Sequence, residues 1–245
     1  MAHETLRKLG PLTSIRFAAA ALIVIYHSPA TWRMSEGLFQ PFVLYQAVSF
    51  FFVLSGFILT YVYPELPSWE SFGRYLLARV ARIWPTHLAA FVLLWILFRS
   101  PDRFGVPYST PWLAALNLSM VHGWVPIWNV FFSYNAVSWS ISTEFGLYLL
   151  FPLLLWRWRS SWWWKLPLVA LIVAALIVLS AVLGLSADKP GWSVADVGVL
   201  EVNPLARLFE FALGMGAALA FARYEARLTC SRLAGTCLEI AAAGP

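Results

Sequence analysis

Apolar stretches of membrane-spanning length recur along this chain, and basic residues collect between them. They run from about Leu12 to Trp32, Pro41 to Tyr63, Ile83 to Phe98, Tyr134 to Trp156, Leu166 to Leu185 and Pro204 to Phe221. A spanning helix needs about 20 apolar residues, and within lipid every backbone polar group must be satisfied inside the protein. The chain therefore reads as an all-α, polytopic transmembrane helix bundle of about six spans. Only 12% of its residues are charged, with a mean hydropathy of +0.71, against roughly 25% charged in soluble domains. Fourteen tryptophans suit the two interfaces of a membrane protein. The whole of 1–245 reads as a single membrane domain.

The net charge of +5 is explained by topology, not by nucleic acid, because arginine and lysine cluster between apolar spans as the positive-inside rule requires. Arg7 and Lys8 place the N-terminus in the cytoplasm. Arg74, Arg79 and Arg82, then Arg157, Arg159 and Lys165, and finally Arg223, Arg227 and Arg232 mark the same side. Asp188, Asp196 and Glu201 against Lys189 suit the outside. The stretch 111–132 is apolar but broken by Asn117, His122, Gly123, Pro126 and Asn129. Charge parity around it requires a re-entrant or interfacial segment that leaves and returns on one side. The alternative is a true crossing with 157–165 outside. The N-terminal run also resembles a cleavable signal peptide. Cleavage near Ala30 would discard Arg16 and His27, so a retained first helix is the better reading.

The first span carries two ionisable side chains, Arg16 and His27. They are eleven residues apart, close to three helical turns, so they share one face roughly 16 Å apart along the axis. Ionisable residues at membrane depth normally face the protein interior or a wet cavity. The plain alternatives are snorkelling for Arg16 and an interfacial position for His27. Arg79 and Arg82 share a face at i and i+3, and planar guanidinium forks suit phosphate; lipid headgroup contact is the competing role. Glu144 lies about ten residues into a span, so it requires protonation, a cationic partner or a hydrogen-bonded network. Arg207 and Glu210 read as a local pair. Cys230 and Cys237 lack further ligands, so neither a metal site nor a disulfide is expected.

These pieces together resemble the acyltransferase 3 family of integral-membrane O-acyltransferases. The carrying segments are Arg16 through His27, Phe51-Phe-Val-Leu-Ser-Gly-Phe57, Arg79-Val-Ala-Arg82-Ile-Trp-Pro85, Trp139-Ser-Ile-Ser-Thr-Glu144 with Tyr148 and Pro152, and Asn203-Pro-Leu-Ala-Arg207-Leu-Phe-Glu210-Phe-Ala-Leu-Gly214. The resemblance implies a fold of about ten helices, of which this chain would hold the N-terminal portion, with the C-terminal helices missing. It also implies transfer of an acyl group, usually acetyl, from cytoplasmic acyl-CoA to a hydroxyl of a carbohydrate or related acceptor, in a bacterial inner membrane. Acyl-CoA is a co-substrate, and no bound cofactor or metal is implied. The family's functional residues map onto Arg16, His27, Arg79, Arg82 and the motif ending at Glu144. In that reading Arg16, Arg79 and Arg82 bind the donor, His27 is the general base or forms an acyl-histidine, and Glu144 orients or balances the imidazole. A small-solute or ion transporter that uses the same buried polar residues is the alternative.

Overall fold

The computed structural model describes residues 10–27, 46–97, 110–186 and 191–224. Among them the chain is helical, with one isolated bridge between Ile127 and Val194 in place of any strand. The helices are α1 (Gly10–His27), α2 (Gln46–Val62), α3 (Trp69–Leu97), α4 (Pro111–Leu118), α5 (Trp128–Phe131), α6 (Trp139–Leu155), α7 (Trp158–Val182) and α8 (Leu208–Tyr224). Three of them are long and apolar enough to cross a membrane: α3, α6 with its 3-10 lead-in from Ala136, and α7. α2 and the Ser14–Val24 portion of α1 are shorter apolar helices. The protein is an integral membrane protein. Cys230 and Cys237 lie outside the described residues.

Two helices start earlier than the charge pattern suggested. α3 begins at Trp69, not near Ile83, so Arg74, Arg79 and Arg82 ride on a helix instead of a connector. Its start is fixed by two serines. Ser68 Oγ accepts from the Ser71 amide at 3.1 Å, and Ser71 Oγ accepts from the Ser68 amide at 3.0 Å. This is a reciprocal cap in which a serine fills the usual Glu position. At 29 residues α3 is about 43 Å long, longer than the ~30 Å hydrocarbon core, and its surplus turns accommodate the arginines. α7 likewise begins at Trp158, not Leu166. Lys165, read from the sequence as a charge marking the cytoplasmic side, is almost fully buried. Its ammonium donates to the carbonyls of Leu154 at 2.9 Å and of Trp156, which caps the C-terminal end of α6 and satisfies carbonyls that have no helical partner.

The interior is built on α2 and α8. Phe52 and Leu59 of α2 join Phe211, Ala212 and Met215 of α8, with Tyr75, Tyr148, Phe151 and Trp158 closing the cluster. Backbones meet directly at two reciprocal points. A Cβ on Gly56 would overlap the Phe211 carbonyl, and one on Gly214 would overlap the Val53 carbonyl. Close backbone approach through small residues drives helix association where lipid offers no hydrophobic contrast.

A cavity of about 1140 Å³ is lined by residues from 60–69, 149–160 and 218–222. It therefore gathers the end of α2, the start of α3, the α6–α7 turn and the end of α8 on one face. On the opposite face Arg207 reaches Ser49, and the 126–131 region meets 191–199 through Ala195–Pro126 and Asn129–Gly191 hydrogen bonds. The connection from α3 to α6 begins and ends on that opposite face. No helical piece in 111–132 exceeds eight residues, about 12 Å, so none can span alone. The polar groups at the end of α4 are satisfied by protein. Trp84 Nε1 donates to the Leu118 carbonyl at 3.0 Å and His87 Nε2 to the Asn117 carbonyl at 2.8 Å. Asn117 Nδ2 donates to Ser133 Oγ at 2.6 Å. The His87 and His122 rings stack 6.2 Å apart, both buried. Burial, reinforced by the His87 ring, pushes the His122 imidazole down to about 4.

Gly214→Val should therefore disrupt the α2–α8 contact and cost 1–3 kcal/mol or more by overpacking. Gly73→Ala, where nothing lies within 4 Å, should be neutral or mildly stabilising. Thermal unfolding of both variants in detergent checks this. The His122 shift has a definite sign. The folded form binds its proton more weakly than the unfolded chain, so stability is full above the ordinary value near 6.5 and falls as pH drops toward about 4. The loss is on the order of 3 kcal/mol by linkage. A pH series of unfolding midpoints should show it, and equal midpoints at pH 7 and pH 4.5 would contradict it.

Candidate functional site

Glu144 occupies the place where α2, α3 and α6 converge. Its Oε1 accepts from Ser55 Oγ on α2 at 3.0 Å and, one turn along α6, from the Tyr148 hydroxyl in a short hydrogen bond. The sequence led us to expect a cation or a hydrogen-bonded network around this carboxylate. Hydroxyls fill that role: among the described residues the salt bridges are Arg74–Glu70 and Arg207–Glu210, and Glu144 takes part in neither.

Tyr148 is fixed at its other end by a proline effect. Pro152 has no N–H to offer the carbonyl four residues before it, which leaves the Tyr148 carbonyl unpaired within α6. The Tyr75 hydroxyl of α3 donates to that carbonyl at 3.0 Å. Tyr75 and Tyr148 are almost fully buried, so the chain Tyr75–Tyr148–Glu144–Ser55 is an internal polar ladder that links α3, α6 and α2. Pro85 has a similar consequence in α3, where it removes the partner of the Ala81 carbonyl beside Arg82.

The arginines gather around this ladder. Arg16 on α1 interacts electrostatically with Arg82, Glu144 and Tyr148. Tyr148 feels both Arg82 and Arg79, and Tyr75 feels Arg79 and Glu144. Arg79 is half-buried. Its Nη2 donates to the Tyr63 hydroxyl at 3.3 Å, its guanidinium lies 5.5 Å from the Tyr63 ring centroid, and its Nε is buried without a partner. Arg82 remains exposed. The result is three guanidinium groups and one carboxylate, with Arg16 and Arg82 close enough to repel. Such an excess of positive charge at membrane depth is costly unless an anion joins it. Among the described residues no cluster of His, Cys, Asp and Glu could hold a metal.

Four of the five residues singled out from sequence, Arg16, Arg79, Arg82 and Glu144, thus meet in one region. The fifth, His27, is the last residue of α1; its side chain lies outside the described part of the structure. Helical rise sets its backbone about 16 Å from that of Arg16, toward the opposite end of the helix. The Arg207–Glu210 pair is local, as read from sequence, at 2.9 Å. It also clamps neighbours: Arg207 Nε donates to the Glu201 carbonyl at 2.6 Å and Nη1 to Ser49 Oγ at 3.4 Å. The sequence reading missed Tyr75 and Tyr63, and saw Ser55 only as part of the Phe51–Phe57 segment. Tyr148 and Pro152 were visible as motif pieces, but what joins them was not.

Comparison with known proteins follows the same residues. A profile of the acyltransferase domain of the acyltransferase 3 family matches residues 12–243. The chain is 29% identical over 228 residues to a protein named acyltransferase MdmB from Streptomyces mycarofaciens, an alignment that covers 86% of this chain and 57% of that protein. The chain thus spans little more than half the length of this curated relative. No solved structure matches the chain. With the profile match spanning nearly every described residue, the chain belongs to the acyltransferase 3 family.

Proposed function

We propose that the protein takes part in O-acyl transfer across the membrane, moving an acyl group, acetyl in the simplest case, from acyl-CoA to a hydroxyl of a carbohydrate or related acceptor. The observation that carries this reading is the surplus of guanidinium groups around Glu144. The nucleotide end of acyl-CoA bears several phosphates, and Arg16, Arg79 and Arg82 offer the planar forks that hold them. The unpartnered Nε of Arg79 is a donor in waiting for such an anion. Membership of an acyltransferase family and likeness to a protein named acyltransferase support the reaction class.

In this reading the cavity face, rich in Arg157, Arg159 and Arg223, is cytoplasmic by the positive-inside rule, in a bacterial inner membrane. The donor then enters from that side. Its pantetheine arm is long enough to carry the thioester along α1 toward His27. There the imidazole takes the proton of the acceptor hydroxyl. The oxygen attacks the thioester carbonyl, a C–O bond forms, the C–S bond breaks, and the departing thiolate receives the proton. Glu144, which interacts electrostatically with Arg16, balances charge in the donor site.

In the full-length protein, His27→Ala should reduce transfer from labelled acetyl-CoA to background while membrane insertion stays intact. Arg79→Gln with Arg82→Gln should raise KM for the donor by at least about tenfold, the loss of one or two charge-assisted hydrogen bonds. Transfer assays in isolated membranes measure both. Normal transfer by His27→Ala would remove the base from the scheme. Solute uptake without consumption of acetyl-CoA would replace acyl transfer with transport.

A further inference from the structure

Both hydroxyls that meet Glu144 bind the same oxygen, Oε1. Among the described residues, Oε2 has no hydrogen bond or ion pair. Arg16 nevertheless lies in the electrostatic field of this carboxylate, and of Arg82 as well. An unrestrained glutamate beside two guanidinium groups would close onto one of them as a bidentate pair, the strongest arrangement open to it. It would then occupy the very donors that an anion needs. Glu144 does not close. Ser55 pulls it toward α2, and Tyr148 pulls it along α6.

The pull is backed by rigid structure. The Tyr148 side chain is almost fully buried, and its own carbonyl is tied to α3 through Tyr75. Ser55 is buried next to Gly56, where α2 and α8 touch backbone to backbone. Neither hydroxyl can follow the carboxylate if it swings away. Both restraints come from a helix interior, and the arginines are carried on α1 and α3.

We propose that Tyr148 and Ser55 are positioning residues that hold Glu144 back from Arg16 and Arg82, so that its charge offsets their mutual repulsion while their N–H groups stay free for a multiply charged anion of the diphosphate class. The inference rests on the donor reading only for the identity of that anion; the restraint on Glu144 stands apart from it. Loss of the Tyr148 hydroxyl releases the carboxylate, which then competes with the ligand for the same guanidinium groups. A positioning role therefore predicts rescue by removing the competitor.

The test is a titration of purified full-length protein with inorganic pyrophosphate and, separately, with coenzyme A. Tyr148→Phe should weaken pyrophosphate binding about tenfold, the size of one hydrogen bond to a charged group. Ser55→Ala should weaken it to a similar degree, and Ser55→Thr, which keeps a hydroxyl, should retain most of the affinity. The deciding variant is Tyr148→Phe combined with Glu144→Gln: binding should return toward the wild-type value, because glutamine cannot pair ionically with arginine. A purely structural tyrosine would leave the double variant as weak as Tyr148→Phe. That result, or unchanged affinity in Tyr148→Phe, overturns the proposal. So does a wild-type protein that binds neither probe. Wild-type protein that binds pyrophosphate but not coenzyme A removes the donor reading and leaves the positioning role to be read on pyrophosphate alone.

Discussion

Inside a bilayer, an unpaired backbone carbonyl and an ionised side chain face the same difficulty: no water is there to meet them. The bundle answers both with one set of contacts. Pro152 frees the Tyr148 carbonyl, and Tyr75 takes it. The same Tyr148 gives its hydroxyl to Glu144, which Ser55 also holds. Three helices are thereby keyed together by a proline and four side chains. The apolar core that surrounds them, from Phe52 to Met215, excludes water and makes each of these hydrogen bonds worth more.

The rest of the architecture serves the same constraint. Lys165 covers the last carbonyls of α6, Trp84 and His87 cover those of α4, and Ser68 with Ser71 starts α3. Irregular backbone between α4 and α6 is tolerated because protein packs around it. Gly56 and Gly214 bring α2 and α8 into backbone contact, which holds Ser55 at the depth of Glu144. The arginine cluster is then assembled on α1 and α3 against this rigid α2–α6–α8 frame.

Much of the site was legible in the sequence for one reason: charge inside an apolar stretch is expensive, so Arg16, Arg79, Arg82 and Glu144 stand out wherever they fall. The all-helical bundle followed from apolar length, and the re-entrant reading of 111–132 from the parity of flanking charges; the placement of both ends of that connection on one face agrees with it. What the sequence hid depends on contacts between distant residues. Nothing in the neighbourhood of Pro152 names Tyr75 as the donor to its orphaned carbonyl. Ser55 is one hydroxyl among many until α2 is set against α6. The early start of α3 was concealed because Arg74, Arg79 and Arg82 look like a connector when only hydropathy is read, although Ser68 followed by Ser71 marks a helix start. Lys165 was read as a topological charge, and its duty as a cap depends on where α6 ends.

The central claim is that the three guanidinium groups around Glu144 form a site for the phosphates of the acyl donor. Competition binding on the purified full-length protein addresses it most directly, with coenzyme A compared with pantetheine, which keeps the thiol arm and lacks every phosphate. The account predicts that coenzyme A binds at least about a hundredfold more tightly, the worth of two charge-assisted hydrogen bonds, and that Arg79→Gln with Arg82→Gln removes most of that preference. Equal affinity for the two ligands, or a preference that survives the loss of both arginines, would contradict it.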